Sequence, residues 1–360
     1  MHRFARVVTC AVLALVLSAN AVTMRIYHIG NSLTDEVKYD AFKGLAESRG
    51  HTHVWARQMI PGAPLGWNWN HPGGFTKEPY GDYYNALTNY DWDALVLQPF
   101  QWNAPTEADY AVRFANLARR RYDKTMSYIH MTWPANDVAQ HGDFETQWLD
   151  DWTATNRSRA YFVYVADSIA AVQGADAVRI VPNGEVMYEI WKDIQAGTFT
   201  LLPDIWSFYA DGIHLNDTGS YLVATCHYAV IYQDDPVGLP TTGFDVSTEL
   251  ASAIQQYVHD VVLAYPRTGV TSFGPYPVTG VAVIPDALEL NAGRSATLAA
   301  SISPTNATDQ SVSWQSNNEG VATVTDGVVS AVSAGSATIT VTTTDGSHTD
   351  QCALTVVSSG

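Results

Sequence analysis

Cysteine is scarce in this chain, and what there is forms no recognisable framework. The three cysteines in 360 residues are Cys10, Cys226 and Cys352. Cys226 and Cys352 lie in segments of different character, so a disulfide framework is not expected, and no neighbouring motif marks either thiol as catalytic. Spacings typical of metal ligands are also lacking. His51 and His53 alternate on a predicted strand and are interpreted as surface residues rather than ligands.

Positive charge is the second shortage. The chain has 19 Lys and Arg against 36 Asp and Glu, which gives a formal net charge of −17. Such an acidic protein is repelled by nucleic acid and by anionic membrane surfaces. We therefore expect neither class of partner.

Long apolar runs are lacking except near the N-terminus. Arg3 and Arg6 precede an apolar run over residues 7–17, and Ser18-Ala19-Asn20-Ala21 follows it. The run is too short to span a bilayer, which takes about 20 residues. The pattern predicts a signal peptide over residues 1–21, cleaved after Ala21, and thus a secreted protein, periplasmic or extracellular.

The chain is organised around a strand-to-helix turn that carries Ser32. Ile26 and Ile29 predict a buried strand, Gly30 turns the chain, and apolar residues recur at helical spacing over residues 41–46. Free N–H groups and the positive end of a helix dipole meet at such a turn, which suits a nucleophile. The alternative is an ordinary N-cap serine.

A second stretch, Tyr209-Ala210-Asp211-Gly212-Ile213-His214-Leu215-Asn216, favours the nucleophile. A serine becomes reactive when a base takes its proton, and histidine titrates near neutrality. The histidine in turn needs a carboxylate to fix its tautomer. Asp211 and His214 supply both groups from one short turn.

With these residues in place, the chain resembles the SGNH hydrolases, also called the GDSL family. Gly30-Asn31-Ser32-Leu33 stands where that family has Gly-Asp-Ser-Leu, and Asp211-Gly212-Ile213-His214 matches its late Asp-x-x-His block. The resemblance covers roughly residues 24–265. It implies a three-layer α/β/α fold and ester hydrolysis through an acyl-enzyme, with Ser32 as nucleophile, His214 as base and Asp211 orienting the base.

Strands alternating with helices over the same span predict a parallel sheet with helices on both faces, an α/β flavodoxin-like architecture. Functional groups of such sheets lie at the carboxyl ends of the strands. Besides Ser32, that position is expected for Gln98, Trp133 and Glu185. Trp133 and Glu185 are therefore candidate substrate contacts, although a helix-capping carboxylate explains Glu185 equally well.

The oxyanion donors are less well marked. The family resemblance implies a backbone N–H from a glycine after the second strand, which Gly62 matches, in addition to the N–H of Ser32. The family's Gly-x-Asn-Asp block has no counterpart here. Gln98 at a strand end, or Asn103 shortly after it, is the expected substitute, and we favour Gln98 because its amide donates two hydrogen bonds.

The irregular stretch over residues 59–90 is rich in glycine, proline and aromatic residues. Loops of this length in a compact domain are commonly functional. Trp67, Trp69, His71 and Tyr80 could stack on a sugar ring or an acyl group, and Trp67 is our candidate substrate contact. Packing of the loop onto the domain is the equally supported alternative.

The C-terminal region changes character. Residues 266–280 have the composition of a linker, and residues 281–360 alternate Ser, Thr, Ala and Val in short runs typical of a small β-sandwich. Through Leu290-Asn291-Ala292-Gly293, Val312-Ser313-Trp314 and Gly320-Val321-Ala322-Thr323-Val324, this tail resembles bacterial immunoglobulin-like domains of group 2. The resemblance implies a spacer or adhesive module that contacts a surface or a polysaccharide.

Together these features predict a secreted serine esterase, with its hydrolase domain over residues 22–265, that removes O-acyl groups, chiefly acetyl, from carbohydrate. No cofactor or metal is expected. One alternative is a lipid or simple-ester hydrolase. The other is a non-catalytic carbohydrate-binding or adhesion protein on a hydrolase scaffold, which the intact Ser32, Asp211 and His214 disfavour.

Overall fold

The computed structural model describes residues 22–100, 103–150, 157–274, 277–303 and 307–358. The predicted signal peptide lies outside the described residues. The chain divides into two compact units between residues 275 and 276. Each unit is described by itself.

A six-stranded sheet forms the centre of the first unit. Its strands are β1 (Thr23–Gly30), β2 (Thr52–Met59), β3 (Phe75–Thr76), β4 (Ala94–Leu97), β5 (Met126–His130) and β6 (Val178–Val181). Their order is β3-β2-β1-β4-β5-β6. All neighbours pair in parallel except the short edge strand β3, which is antiparallel to β2. The carboxyl ends of β1, β4 and β5 therefore meet at one edge.

Helices cover both faces of this sheet. They are α1 (Tyr39–Ser48), α2 (Leu65–Asn70), α3 (Tyr83–Asn89), α4 (Ala104–Arg121), α5 (Val138–His141), α6 (Phe144–Leu149), α7 (Arg159–Gln173), α8 (Asn183–Ala196), α9 (Asp217–Tyr232) and α10 (Thr248–Ala264). Short 3-10 helices cover Ser32–Val37, Ala175–Ala177, Ile205–Phe208 and Pro266–Thr268. Helices α4 and α7 form one layer, and α1, α9 and α10 form the other. The predicted three-layer α/β/α class is confirmed.

The sequence explains why the central strand β4 lies where it does. Its four residues, Ala94 to Leu97, are apolar and fully buried. A strand covered by helices on both faces takes such a continuous apolar run instead of an alternating one. Ser32, at the end of the neighbouring strand β1, is thereby carried on a rigid support.

A layer of buried histidines lies between the sheet and helices α1 and α9. It comprises His28 on β1, His53 on β2, His130 on β5 and His227 on α9, and all four are at most 3% exposed. The interpretation of His53 as a surface residue is wrong, because α1 and α9 cover that face of β2 and the hydroxyl of Tyr232 lies 2.7 Å from His53 Nδ1. Burial lowers the pKa of His53 to about 3 and that of His227 to about 4. The layer is therefore uncharged at neutral pH.

His51, also interpreted as a surface residue, is buried as well. Its ring stacks on Tyr232 at 4.6 Å, and its Nδ1 accepts a hydrogen bond from the N–H of Val22. Aromatic stacking and a backbone partner explain the inward position of this imidazole.

The second unit is entirely β-structure. Its strands are β7 (Gly280–Ile284), β8 (Ala287–Asn291), β9 (Ser295–Thr297), β10 (Ala299–Ser303), β11 (Val312–Ser316), β12 (Ala322–Thr325), β13 (Val328–Ala331), β14 (Gly335–Thr343) and β15 (Thr349–Val357). They pair in the orders β11-β14-β15-β8, β12-β13-β9 and β10-β7. Val329, Ile339, Val341 and Cys352 are among the buried side chains of its core. The predicted small all-β fold is confirmed.

The segment assigned to a linker by composition, residues 266–280, lies partly inside the two units. Thr268 and Val270 are buried in the first unit, where the Thr268 hydroxyl donates to the carbonyl of Val262 at 2.8 Å. Val278 is buried in the second unit. A 3-10 helix covers Pro266–Thr268, a segment whose composition alone does not distinguish it from a linker.

Candidate active site

Ser32 is the first residue of the 3-10 helix that follows β1, and its neighbour Asn31 caps that helix. The Asn31 side chain accepts a hydrogen bond from the N–H of Leu33 at 3.0 Å. Because Asn31 takes the capping role that sequence alone also allowed for Ser32, the Ser32 hydroxyl is left for other partners.

The backbone around Ser32, here called the Ser32 turn (residues 30–34), is held by Gln98. Gln98 Oε1 accepts hydrogen bonds from the Asn31 N–H at 2.9 Å and from the Thr34 hydroxyl at 3.3 Å. A Cβ at Gly30 would lie 2.1 Å from Thr34 Oγ1 and 2.7 Å from Gln98 Oε1. Only glycine permits this close approach, which explains the residue before Asn31.

A chain of hydrogen-bonding distances links Ser32 to His214 and Asp211. The Ser32 hydroxyl oxygen lies 2.9 Å from His214 Nε2, and His214 Nδ1 lies 2.9 Å from Asp211 Oδ2. Ser32 lies near the start of the first unit in sequence, whereas His214 lies 182 positions further along the chain. The arrangement is that of a nucleophile, a base and an orienting carboxylate, as the sequence predicts.

The carboxylate is held in its charged form. Asp211 Oδ1 accepts hydrogen bonds from the N–H groups of Ile213 at 2.8 Å and His214 at 2.7 Å. These backbone bonds, followed by the bond to the His214 ring, lower the pKa of Asp211 to about 2. Asp211 and His214 are both open to solvent, so a substrate can reach the imidazole.

The loop that carries these two residues, the His214 loop (residues 209–216), is anchored by the segment after β5. The indole Nε1 of Trp133 donates to the carbonyl of Ile213 at 2.8 Å, and the Asn136 N–H donates to the carbonyl of Gly212 at 2.8 Å. The Tyr209 hydroxyl donates in return to the carbonyl of Pro134 at 2.7 Å. Sequence reasoning missed this connection, because backbone carbonyls leave no residue signature.

Trp133, a candidate substrate contact, has a different position. It is fully buried, and its one polar atom is bonded to Ile213. A side chain enclosed in this way cannot stack on a substrate. The structure therefore corrects this prediction: Trp133 holds the His214 loop through a hydrogen bond from the protein interior.

Gln98, the favoured third oxyanion donor, is also corrected. The side chain is fully buried, and two donors approach its Oε1, which fixes the orientation of the amide. Its Nε2 donates to the carbonyl of Pro99 at 3.1 Å. The alternative, Asn103, is the N-cap of α4 and accepts from the Thr106 N–H at 3.1 Å. Both side chains are occupied in holding the backbone.

Two backbone N–H groups remain as oxyanion candidates. Those of Ser32 and Gly62 have no hydrogen-bond partner within the part of the chain that the structure describes. Gly62 is exposed and has a φ of +67°, in the left-handed region where other residues are strained. Both expected backbone donors are thus free to bind a negative oxygen.

A buried carboxylate braces the segment that follows Gly62. Glu107 Oε2 accepts from the N–H of Leu65 at 3.1 Å and from the N–H of Phe100 at 2.8 Å, and Oε1 accepts from Gly66 at 3.4 Å. It thereby joins the start of α2 to the segment after β4. Its position in the first turn of α4 gave no hint of this role.

The aromatic residues of the long loop divide between two functions. Trp69 packs against Tyr83 and Phe114, and Tyr80 packs against Trp92. Packing of the loop onto the domain, one of the two alternatives, thus describes Trp69 and Tyr80, whereas a second pair stays outside.

That second pair is Trp67 on α2 and His71, the residue that caps the C-terminal end of that helix. Trp67 is 52% exposed, and its ring stacks on His71 at 3.8 Å with an interplanar angle of 16°. The intervening Asn68 is buried and donates to the carbonyl of Gly30 at 3.2 Å, which ties α2 to the end of β1. An exposed flat surface is thus carried on a helix attached to the Ser32 turn.

Glu185, the remaining candidate substrate contact, is engaged elsewhere. Its carboxylate receives two hydrogen bonds from Arg159, at 2.8 and 2.7 Å, and one from the Trp148 indole at 3.1 Å. A bidentate arginine pair plus a third donor leaves little of the carboxylate for a ligand. The structure corrects this prediction too, since Glu185 joins helices α6, α7 and α8.

Among the described residues there is neither a metal-binding cluster nor a membrane-spanning helix. Over the described ranges, no group of three or more His, Cys, Asp or Glu side chains is arranged to hold a metal ion. Over the same ranges, no helix is both long enough and apolar enough to cross a bilayer.

Comparison with known proteins identifies the C-terminal unit. Residues 277–354 match the family model of the bacterial Ig-like domain, group 2. This confirms the resemblance of the tail. The chain is 41% identical over 81 residues to an Ig-like virion protein of Serratia phage KSP90, a match that covers 22% of this chain and 31% of that protein. This chain thus spans about a third of the length of that curated relative.

Solved structures similar to this chain include the following three proteins. A DUF4886 family protein from Bacteroides uniformis is 18% identical, with a TM-score of 0.49, covering 68% of this chain and 96% of that one. A proposed SGNH hydrolase from Slackia heliotrinireducens is 19% identical, with a TM-score of 0.36 and coverages of 57% and 96%. A proposed GDSL-like lipase from Parabacteroides merdae is 12% identical, with a TM-score of 0.37 and coverages of 59% and 95%.

Proposed function

We propose that this protein is a serine hydrolase that cleaves carboxylic esters. One observation carries the proposal: Ser32, His214 and Asp211 form an unbroken series of 2.9 Å contacts at the edge of the sheet, open to solvent. A structural serine does not need a histidine whose other nitrogen faces an ionised carboxylate. Acyl transfer needs all three groups in this order.

The chemistry follows from the positions of these atoms. The Ser32 hydroxyl attacks the ester carbonyl while His214 Nε2 takes its proton. The Asp211 carboxylate accepts from Nδ1–H and stabilises the imidazolium that forms. His214 then gives the proton to the leaving alcohol, which leaves an acyl group on Ser32. Water, activated by the same imidazole, completes the hydrolysis.

The negative oxygen of each tetrahedral intermediate is stabilised by the N–H groups of Ser32 and Gly62. Preorganised donors of this kind act where charge develops, and each is worth roughly a hundred- to a thousandfold in rate. Without a side-chain donor from Gln98 or Asn103, the site has a two-donor oxyanion hole.

The substrate class that we propose is O-acylated carbohydrate, chiefly with acetyl groups. The support is the exposed stack of Trp67 on His71, since a flat aromatic surface suits a sugar ring. The solvent-open imidazole fits a small acyl group on a large polar carrier. An N-terminal signal peptide would place the enzyme outside the cytoplasm, and the Ig-like unit would hold it near a surface or polymer.

The experiment that tests this proposal is an acyl-release assay on the purified full chain and on Ser32→Ala. Substrates are acetylated xylan, acetylated pectin, acetylated chitin and nitrophenyl esters of increasing acyl length. We expect Ser32-dependent acetate release from at least one polysaccharide and a decline in rate with longer acyl chains. A preference for long acyl chains would favour a lipid or simple-ester hydrolase. Equal rates for wild type and Ser32→Ala would overturn the enzyme assignment.

A further inference from the structure

Glu36 is a buried carboxylate next to the proposed catalytic residues that the mechanism does not use. It lies four positions after Ser32 in the same 3-10 helix and is 7% exposed. Burial raises its pKa above the ordinary glutamate value, against the effect of its hydrogen-bond partners. Burying a carboxylate costs free energy unless hydrogen-bond partners compensate, so the partners of Glu36 indicate its structural role.

The partners of Glu36 belong to the element that carries His214. Glu36 Oε2 accepts a hydrogen bond from the hydroxyl of Ser220 at 2.8 Å, and Ser220 is fully buried in the first turn of α9. The backbone N–H of Leu215, the residue directly after His214, also acts to lower the pKa of this carboxyl. The bond between Glu36 and Ser220 thus joins the 3-10 helix that begins at Ser32 to the first turn of α9, which follows the His214 loop.

The charge of Glu36 acts on the same site. The ionisable groups that favour its charged form are Lys38 on its own turn and His214 on the opposite loop. Lys38 also forms an ion pair with Asp217 of α9, whose carboxylate lies 3.6 Å from the Lys38 ammonium.

We propose that Glu36 is a positioning residue for the catalytic histidine: its bond to Ser220 keeps His214 within hydrogen-bonding distance of Ser32. The inference rests on the proposed function. Ser32 and His214 are 182 positions apart in the chain and belong to different loops, yet their contact must stay near 2.9 Å. A misplacement of about 1 Å at a reacting group can cost roughly a hundredfold in rate.

The test compares Glu36→Gln, Glu36→Ala and Ser220→Ala with the wild-type full chain on a nitrophenyl ester. Glu36→Gln keeps a hydrogen-bond acceptor and removes the charge, whereas Glu36→Ala removes both. Gln255→Ala is the matched control: Gln255 is a buried polar residue of α10 that bonds to the Tyr221 hydroxyl and the Gly238 N–H and does not contact the His214 loop. The readouts are kcat, KM, the pH profile of kcat/KM and the melting temperature.

We expect Glu36→Gln to lower kcat by a few-fold to tenfold at unchanged KM, and Glu36→Ala by roughly ten- to a hundredfold. Ser220→Ala should fall between the wild type and Glu36→Ala. Gln255→Ala should lower the melting temperature and leave kcat and the pH profile unchanged.

Two results would overturn the inference. One is a wild-type kcat and pH profile in both Glu36 variants. The other is a loss of kcat that Gln255→Ala reproduces at equal loss of melting temperature, since Glu36 would then act on stability alone. If the wild type shows no Ser32-dependent activity, the proposed function fails, and NMR of the His214 ring decides separately. Ring chemical shifts in Glu36→Ala that match the wild type would reject the Glu36 inference, and altered ones with Gln255→Ala unchanged would support it.

Discussion

In the first unit, His214 differs from the four histidines of the buried layer in solvent exposure and in hydrogen bonding. His214 is open to solvent, and both of its ring nitrogens lie at hydrogen-bonding distance from a partner. His28, His53, His130 and His227 are enclosed between the sheet and its helices. Both nitrogens of His28 and His130, and one each of His53 and His227, have no hydrogen-bond partner among the described residues.

The comparison shows that the surroundings of an imidazole determine its chemistry. At His214 the carboxylate of Asp211 and the hydroxyl of Ser32 favour proton transfer. In the buried layer the same ring contributes apolar surface and aromatic contacts, such as that of His130 with His227 at a centroid distance of 4.9 Å. Burial lowers the pKa of each of these four rings, so none of them readily takes up a proton at neutral pH.

The largest expected effect is a difference in activity between a variant of His214 and a variant of the buried histidine layer. We predict that His214→Ala lowers kcat by about four to six orders of magnitude with the fold intact, as is usual for loss of a catalytic base. His130→Phe, which keeps an aromatic ring in the buried layer, should retain most of the activity. Ester hydrolysis and circular dichroism on both variants provide the measurement. Comparable activity losses in well-folded proteins would show that the buried layer takes part in the reaction.

The next prediction concerns stability in acid. A histidine whose pKa is lowered on folding binds protons more readily in the unfolded chain, so its contribution to stability is complete above about pH 6.5 and is lost as the pH falls toward the folded value. For His227 that value is about 4. We expect the free energy of unfolding to drop by on the order of a few kcal/mol between about pH 6.5 and 4, at about 1.4 kcal/mol per pKa unit.

Urea unfolding of the wild type and of His227→Leu across this range is the measurement. The variant has one fewer group to protonate, so its stability should fall less steeply with acid. Parallel curves for the two proteins would mean that His227 accepts a proton in the folded state without cost. Paired carboxylates such as Asp211 contribute in the same direction at still lower pH.

The sequence predicted His214 and misjudged the buried layer for identifiable reasons. His214 stands in a short pattern with Asp211 and follows, at long range, a glycine-turn serine, so chain order alone suggested its role. His53 alternates with apolar neighbours on a strand, a pattern that does not reveal which face is covered. The order of the parallel strands follows from alternation of strands and helices, but the packing of α9 over β2 depends on contacts far apart in the chain.

The supporting contacts of the site were the least predictable part. Strand-end positions were correct for Gln98 and Trp133, because carboxyl ends of parallel strands share one edge. Their roles were wrong, since a strand-end side chain can point inward to a backbone group as well as outward to a substrate. Glu36 and Glu107 gave no signal at all, because their partners are backbone N–H groups and a distant serine.

The third prediction tests whether Gln98 supports the Ser32 turn as an acceptor or binds the oxyanion as a donor. Gln98→Leu leaves the buried Asn31 N–H unpaired, which should cost about 1–3 kcal/mol of stability. Gln98→Glu keeps an oxygen for that N–H and removes the amide donor. We expect Gln98→Glu to retain more activity than Gln98→Leu, with both losses below the roughly hundredfold typical of an oxyanion donor.

The control for this pair is Asn103→Ala, which removes only the cap of α4 and should cost about 1 kcal/mol with activity unchanged. Measured kcat values at a temperature where all variants are folded decide between the two roles. A loss of roughly a hundredfold or more in kcat in both folded Gln98 variants would return Gln98 to the oxyanion hole, since both substitutions remove the amide donor.

The smallest effect is expected at the anchor of the exposed histidine. His214 is only partly buried, so the position of its loop depends strongly on a few hydrogen bonds, one of them from Trp133 to the carbonyl of Ile213. Trp133→Phe keeps most of the apolar packing and removes that bond, whose net contribution is about 0.5–1.5 kcal/mol. We expect a decrease of a few-fold in kcat, with KM nearly unchanged, because Ser32 and the oxyanion donors stay in place. A large rise in KM with kcat preserved would instead mean that Trp133 reaches the substrate, and the role assigned to its indole would be wrong.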